Sequence, residues 1–356
     1  MTDLVTVDDI RAAARRLSDA VVRTPLVPFA AGAALAGGRS LLVKPESLQP
    51  TGAFKLRGAY NAVYAVTRDL DSCAKPDGVV AHSSGNHGYA VGYAARLLGI
   101  RAAIVVPENA PAVKTEAIAS TGAELVRVEP TLAARIAATE EIARVRGYHP
   151  VPPFDSRDVI AGQGTIGLEI AEDFAAGRAG VPHQSPAAIL VPVSGGGLIS
   201  GIAAAVKALL PGARVIGVEP ELAADARESL RAGARVAWTP AQTARTRADA
   251  LRVEEVGELT FPHIQAYVDD IVTVSEDEML VAIRRLALQA RLIAEPGGAA
   301  AVAAALYRDP AELGLPGPPA VTTAGETSAP LVAVLSGGNI DPTLLAETLQ
   351  TQSYTG

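Results

Sequence analysis

The chain has 356 residues, 31 Lys+Arg against 38 Asp+Glu, 49% hydrophobic residues and 4% aromatics. That length allows roughly two domains of ~150 residues and a core that needs no disulfide or metal staple. The net charge of −7 argues against a nucleic-acid binder, and the single cysteine, Cys73, excludes an intrachain disulfide framework and fits a reducing, cytoplasmic compartment.

The five histidines (His82, His87, His149, His183 and His263) form no i,i+4 ligand pair. The N-terminus carries acids and no apolar run, so no signal peptide is expected. The longest apolar stretch, 187–210, is broken by Ser194, three glycines and Lys207, so no membrane span is expected.

Thr6, ahead of Asp8 and Asp9, reads as the cap of a first helix. Residues 40–44 read as a strand and 54–67 as a helix. Strands are predicted at 78–81, 102–107 and 124–128, with helices at 89–98, 113–120 and 131–146. Further on, 164–175 reads as a helix, and the strong strand 188–193 runs into glycines and then a helix to 210. A strand follows at 214–219, then helices at 276–289 and 299–307, and a last core strand at 331–335. This alternation predicts an α/β fold with parallel sheets covered on both faces. Residues 79–128 read as a compact βαβαβ unit set into a larger one. The run 314–328, rich in Gly, Pro and Thr, reads as a loop.

Four segments can carry chemistry. Pro50-Thr51-Gly52 makes a turn that places Lys55 in a first helical turn among apolar and small neighbours. A lysine held there can have its pKa lowered and become a usable amine, or is simply a solvated or structural residue. Ser83-Ser84-Gly85-Asn86-His87-Gly88, between a strand and a helix, offers N–H groups and hydroxyls to a carboxylate, or is simply a capped turn. Ser194-Gly195-Gly196-Gly197-Leu198 is neither G-x-G-x-x-G nor a P-loop; it suits a small phosphate monoester, or is a tight turn. Ser336-Gly337-Gly338-Asn339 closes the last strand. Open α/β sheets bind ligands at the carboxyl ends of strands, where these loops lie. A lysine together with a phosphate cradle suggests pyridoxal phosphate.

These motifs, with Val151-Pro152-Pro153-Phe154-Asp155 and Ile160-Ala161-Gly162-Gln163-Gly164-Thr165 between them, follow a known order and spacing. The sequence resembles the fold-type II pyridoxal-phosphate enzymes of the serine/threonine dehydratase and serine racemase family, over most of its length. The resemblance implies a tryptophan synthase β-like fold, with two open parallel-sheet α/β domains and the active site between them. Residues 1–60 plus 157–356 would form a large cofactor-binding domain, residues 61–156 a small inserted one, and the chain a homodimer. Lys55 would form the Schiff base with pyridoxal 5′-phosphate and shuttle the α-proton. Phe54 would pack beside the cofactor ring, Asn86 would bond its 3′-oxygen, and Ser336 would face the pyridine nitrogen. Ser194, Gly195, Gly196, Gly197 and Leu198 would present N–H groups to the phosphate. Ser83, Ser84, Asn86, His87 and Gly88 would bind the substrate carboxylate. A serine opposite the ring nitrogen protonates it weakly, which favours β-elimination.

Two details bear on the subtype. Racemase-like members have Ser-Ser-Gly-Asn, with the second serine facing the lysine across the cofactor plane; here that is Ser84, which is otherwise a loop hydroxyl or a support for D-serine elimination. Glu219, Ala223 and Asp225 match the spacing at which metal-dependent members hold a divalent ion through a Glu, an Ala carbonyl and an Asp. Oxygen ligands of this kind suit Mg²⁺, Mn²⁺ or Ca²⁺; the alternative is a solvated acidic loop. Glu295 also matches a family element, as a polar tuner near the cofactor or as a helix cap. Tyr89 and Gly297-Gly298 depart from the usual pattern. The implied activity is a threonine/serine ammonia-lyase acting on a small 3-hydroxy amino acid, giving 2-oxobutanoate from threonine and pyruvate from serine. The alternatives are a serine racemase, or a dehydratase of hydroxyaspartate, phenylserine or an osmolyte-derived hydroxy amino acid.

Overall fold

A computed structural model describes residues 4–29, 39–68, 75–181, 185–317 and 328–350. Cys73, His183 and positions 318–327 of the Gly/Pro/Thr-rich run lie outside the described residues.

Among the described residues ten strands form two sheets: β1 (Val27–Phe29), β2 (Leu41–Pro45), β3 (Gly78–His82), β4 (Arg101–Pro107), β5 (Glu124–Val128), β6 (Tyr148–Pro150), β7 (Ala188–Pro192), β8 (Arg214–Pro220), β9 (Asp270–Val274) and β10 (Leu331–Leu335). The larger sheet has the order β1-β2-β10-β7-β8-β9 and the smaller β5-β4-β3-β6. Among these described strands only the β1–β2 pairing is antiparallel. The smaller sheet is contributed entirely by residues that interrupt the larger one.

In chain order the helices are α1 (Val7–Leu17), α2 (Lys55–Arg68), α3 (Asn86–Leu98), α4 (Ala112–Ala119), α5 (Leu132–Arg146), α6 (Arg157–Ala175) and α7 (Gly197–Leu209). They continue as α8 (Asp225–Ala232), α9 (Pro240–Thr243), α10 (Thr260–Tyr267), α11 (Glu276–Arg285), α12 (Pro296–Tyr307) and α13 (Pro342–Gln350). The larger sheet buries one face under α11 and α12, around Leu190, Ile216, Met279 and Ala301. Its other face packs on α6, α7 and α10, around Ile166, Ile199 and Ile264. The smaller sheet lies between α2 and α3 on one side and α5 on the other. Strands such as β7 are apolar and buried at every position, as parallel strands covered on both faces must be. The α/β expectation therefore holds.

Three late helix starts in the sequence expectation share a cause. Helix α3 begins at Asn86 rather than 89, α6 at Arg157 rather than 164, and α12 at Pro296 rather than 299. Each start contains glycine or proline, whose low helix propensity hides it, yet tertiary packing decides. Helices α6 and α7 cross so closely that a Cβ on Gly201 would sit 2.2 Å from the Ile160 carbonyl oxygen. The helix expected over 276–289 ends at Arg285 and runs on as a π-turn (Leu286–Ala290), closed by Arg291 at φ 59°. The short strands β1, β6 and β9 lie where no strand is expected, and β6 gives the smaller sheet its fourth strand.

The first turn of α2 is anchored by charge. Arg57, fully buried, donates from Nε to Glu46 Oε2 at 2.7 Å and from Nη1 to Glu169 Oε1 at 2.6 Å. Lys44, also buried, meets Glu169 Oε2 at 2.6 Å and the Thr24 carbonyl at 2.6 Å. Two cations and two carboxylates leave this cluster neutral, a condition for burying it.

Candidate active site

The chemistry-bearing loops converge from both sheets. Residues 83–85 follow β3 of the smaller sheet, while residues 193–196 follow β7 and residues 336–338 follow β10 of the larger. The turn before α2 is seated on the end of β10. The Phe54 N–H donates to the Ser336 carbonyl at 3.0 Å, the Gly338 N–H donates to the Gly52 carbonyl at 2.9 Å, and Ala53 bridges to Gly337. Lys55 follows directly as the first residue of the helix.

The Lys55 amine lies deep, although part of its stem is exposed. Nζ donates to the Pro153 carbonyl at 2.8 Å and stands 5.1 Å from the Phe54 ring centroid. Burial pulls its pKa from 10.5 down to about 8, against the opposing pull of Glu295. The lowered amine expected from sequence is therefore present.

Asn86 opens α3, and its amide is held on both ends. Its Nδ2 donates to Glu295 Oε1 at 2.6 Å, and its Oδ1 accepts from Asn339 Nδ2 at 2.8 Å. Asn339 is itself tied to the Thr51 carbonyl at 2.9 Å. An amide nitrogen has two hydrogens, and the bond to Glu295 uses one of them. Burial and nearby Asp249 push the Glu295 carboxyl up to about 7. Glu295 occupies the N-cap position of α12, but its side chain makes no capping bond there. Of its two sequence alternatives, the polar partner near the site is the one realised. Asn339 was missed as a site residue; its signal was its place directly after Gly337-Gly338.

The His87 side chain is turned into the core of the smaller lobe's loop region, against Val151. Its ring is 4% exposed, with Nε2 2.8 Å from the Val151 carbonyl. Burial, then the charge of Lys55, pushes its pKa down to about 3, so the imidazole is neutral and donates to that carbonyl. The main-chain N–H of His87, like its neighbours in the first turn of α3, lacks a helical acceptor. Ser83 and Ser84 sit in the turn just before, where the Ser83 hydroxyl accepts the Gly85 N–H at 3.2 Å. Tyr89 packs onto the core of the smaller sheet.

The glycine loop after β7 has a backbone that would suit an anion. Gly196 has φ +92° and caps α7, and the N–H groups of that helix's first turn point out of it. Phe154 fills the space beneath: a Cβ on Gly195 would meet its ring at 2.4 Å. The adjoining Pro153 carbonyl holds Lys55, so one short segment brings amine and cradle together. Ser194 Oγ is buried without a hydrogen-bond partner among the described residues. A free Ser194 hydroxyl, the N–H groups of a first helical turn and an enclosed amine of lowered pKa fit a phosphate monoester that carries an aldehyde.

Glu219 is the last-but-one residue of β8 and Asp225 starts α8, both buried. Glu219 accepts the N–H groups of Ala226 at 3.0 Å and Arg227 at 2.8 Å. Neither carboxylate oxygen of Asp225 has a hydrogen-bond partner on another described residue. Burial pushes Asp225 up to about 7; burial and the neighbouring Asp225 raise Glu219. Ala223 lies between them, 1% exposed. Two bare buried oxygens fit a cation, although among the described residues no group of three or more His, Cys, Asp or Glu side chains gathers. The pair is buried, not part of a solvated acidic loop.

A family model described as pyridoxal-phosphate dependent enzyme matches residues 17–321. A serine racemase of rice (Oryza sativa) is 36% identical over 343 residues, covering 96% of this chain and 93% of its own. An L-threonine ammonia-lyase of Thermotoga maritima is 38% identical over 344 residues, covering 96% of this chain and 77% of its own. The crystal structure of a threonine deaminase from T.th. superposes with a TM-score of 0.80 at 41% identity, covering 94% of this chain and 99% of that one.

Proposed function

The chain belongs to the pyridoxal-phosphate dependent enzymes, and from that membership we propose that it is a threonine/serine ammonia-lyase. It would convert L-threonine to 2-oxobutanoate and ammonia, and L-serine to pyruvate and ammonia. The coarser chemistry, elimination or racemisation at a small hydroxy amino acid, is common to its relatives. The observation that carries the reading is the Lys55 amine, lowered to about 8, one short segment away from an anion cradle.

When bound, pyridoxal 5′-phosphate supplies an aldehyde for amines and a ring that draws electrons from the α-carbon. Ser194, Gly195, Gly196, Gly197 and Leu198 would hold its phosphate, Phe54 and Ser336 its ring, and Asn86 its 3′-oxygen. The substrate carboxylate would lie against Ser83, Ser84, Asn86, His87 and Gly88, with His87 acting through its main-chain N–H. Lys55 Nζ, uncharged once displaced, would take the α-proton as general base. Ser336, a neutral hydroxyl, would leave the ring nitrogen weakly protonated and favour loss of the β-hydroxyl. The larger lobe would comprise residues 1–60 and 157–356, and the smaller lobe, residues 61–156, would close over the substrate and exclude water. Glu219, the Ala223 carbonyl and Asp225 would hold Mg²⁺, Mn²⁺ or Ca²⁺ away from the reacting atoms. A cytoplasmic homodimer completes the proposal; among the described residues no helix is long and apolar enough to cross a membrane.

A second reading, serine racemase, draws on Ser84 beside Asn86 and on the similarity to the rice racemase. One panel separates the two. The purified holoenzyme is incubated with L- and D-serine, L-threonine, 3-hydroxyaspartate and phenylserine, with 2-oxoacid detection and chiral analysis. Rapid 2-oxobutanoate from L-threonine is the expected result. Inversion of serine without 2-oxoacid would replace the lyase by the racemase, and no turnover of any of these would overturn both.

A further inference from the structure

Asp155 lies where the chain crosses back from the smaller sheet to the larger one, between β6 and α6. Its carboxylate takes three main-chain donors across more than a hundred residues. Oδ1 accepts the N–H of Leu259 at 2.8 Å and of Thr260 at 3.2 Å, and Oδ2 accepts that of Glu258 at 3.0 Å. The fit is close: a Cβ on Gly257 would meet Asp155 Oδ1 at 2.1 Å.

The turn held this way reaches the glycine loop. Thr260 Oγ1 donates to the Gly195 carbonyl at 2.6 Å, and the Gly257 N–H donates to the same oxygen at 3.2 Å. Thr260 is also the residue that a Cβ on Gly196 would strike, at 2.8 Å. In a trans peptide the C=O and the following N–H point in opposite directions. Pinning the Gly195 carbonyl on residues 257–260 therefore turns the Gly196 N–H away from them.

We propose that Asp155 is a positioning residue for the phosphate cradle: it locks residues 258–260, and through Thr260 it sets the peptide of Gly195 so that the loop's N–H groups face a phosphate monoester. This rests on the reading of residues 194–198 as that cradle. Lys55 is not part of the coupling, since its amine contacts the Pro153 carbonyl and not Asp155. Asp155→Asn keeps one acceptor oxygen but sets an NH₂ against a backbone N–H.

The test is the equilibrium binding of pyridoxal 5′-phosphate, and of pyridoxal, which lacks only the phosphate, to the full-length apoprotein. Wild type, Asp155→Asn and Thr260→Val are compared, and the thermal midpoint of each apoprotein is recorded. Wild type should prefer the phosphorylated ligand. Each variant should lose roughly ten-fold in affinity for it, as expected for a disturbed charge-assisted hydrogen-bond set, with pyridoxal affinity unchanged. A wild type that does not discriminate would overturn the cradle reading and this proposal with it. A discriminating wild type whose variants weaken both ligands equally, or neither, overturns the proposal alone. Should Asp155→Asn fail to fold, Thr260→Val decides by the same ratio.

Discussion

Lys55 should take up an aldehyde at a pH where ordinary lysines do not. Burial lowers its pKa from 10.5 to about 8. At pH 7.5 roughly a quarter of a group at 8 is free amine, against about one in a thousand at 10.5. The apoprotein is mixed with pyridoxal 5′-phosphate from pH 6 to 10, and the visible band is followed in time. Its rate should rise with pH to a midpoint near 8 and then level off, and Lys55→Ala should abolish that phase. The same shift bears on stability. A buried lysine that resists its charge destabilises the fold while the unfolded chain is protonated. The penalty is therefore full below pH 8 and vanishes as pH rises from 8 to 10.5. Lys55→Met should accordingly stabilise the apoprotein at pH 7 by up to about 3 kcal/mol, less the lost bond to Pro153, with the gain shrinking above pH 8. A midpoint at or above 10, or a Lys55→Met effect independent of pH, would refute the claim that burial activates this amine.

Three further outcomes are expected. Arg57→Met leaves the two buried carboxylates Glu46 and Glu169 with Lys44 as the remaining cation of the cluster, one negative charge in excess, and should cost roughly 3–5 kcal/mol in denaturant unfolding; a loss under 1 kcal/mol would mean the cluster does not hold α2. Gly196→Ala places a side chain at φ +92° and against Thr260. It should lower cofactor affinity by about ten-fold or more, checked by equilibrium dialysis. Chelator treatment should lower the thermal midpoint of the wild type, Mg²⁺ or Ca²⁺ should restore it, and Asp225→Asn should be insensitive to both; identical midpoints with and without chelator would remove the ion.

Much of the site was legible because backbone needs constrain residue type. A loop that wraps an anion after a strand has to be rich in glycine, and residues 194–197 and 336–338 display that in one dimension. The start of a helix read equally well where a polar cap stood, as at Thr6, whose side chain accepts from the Asp9 N–H in a capping box. What could not be read is pairing over distance. Nothing near Glu295 in sequence says that it will meet Asn86, 209 positions away, instead of capping α12. Nothing near His87 says that its ring will bond to Val151. Asp155 looked like one more letter of a motif, and its three acceptor bonds exist only once α10 is packed beside it.

The first turn of α2 sets two opposite demands side by side. Lys55 has to lose its proton near neutral pH, while Arg57, two positions on, has to stay charged. Residues two apart on a helix point to different sides, and the fold gives those sides different electrostatics. Arg57 faces Glu46 and Glu169, whose charges raise its pKa still further against the cost of burial. Lys55 faces Pro153 and Phe54, with Glu295 as its one opposing charge. Glu295 is itself pushed up to about 7 by burial and Asp249, so near neutral pH it supplies only part of a negative charge. A fully ionised carboxylate at that place would hold the lysine proton more firmly. Partial neutralisation of Glu295 thus favours the free amine, and its bond to Asn86 keeps the amide aimed while it does so. The protein's overall charge of −7 plays no part in this; what decides is which carboxylates the fold leaves ionised within reach of each cation.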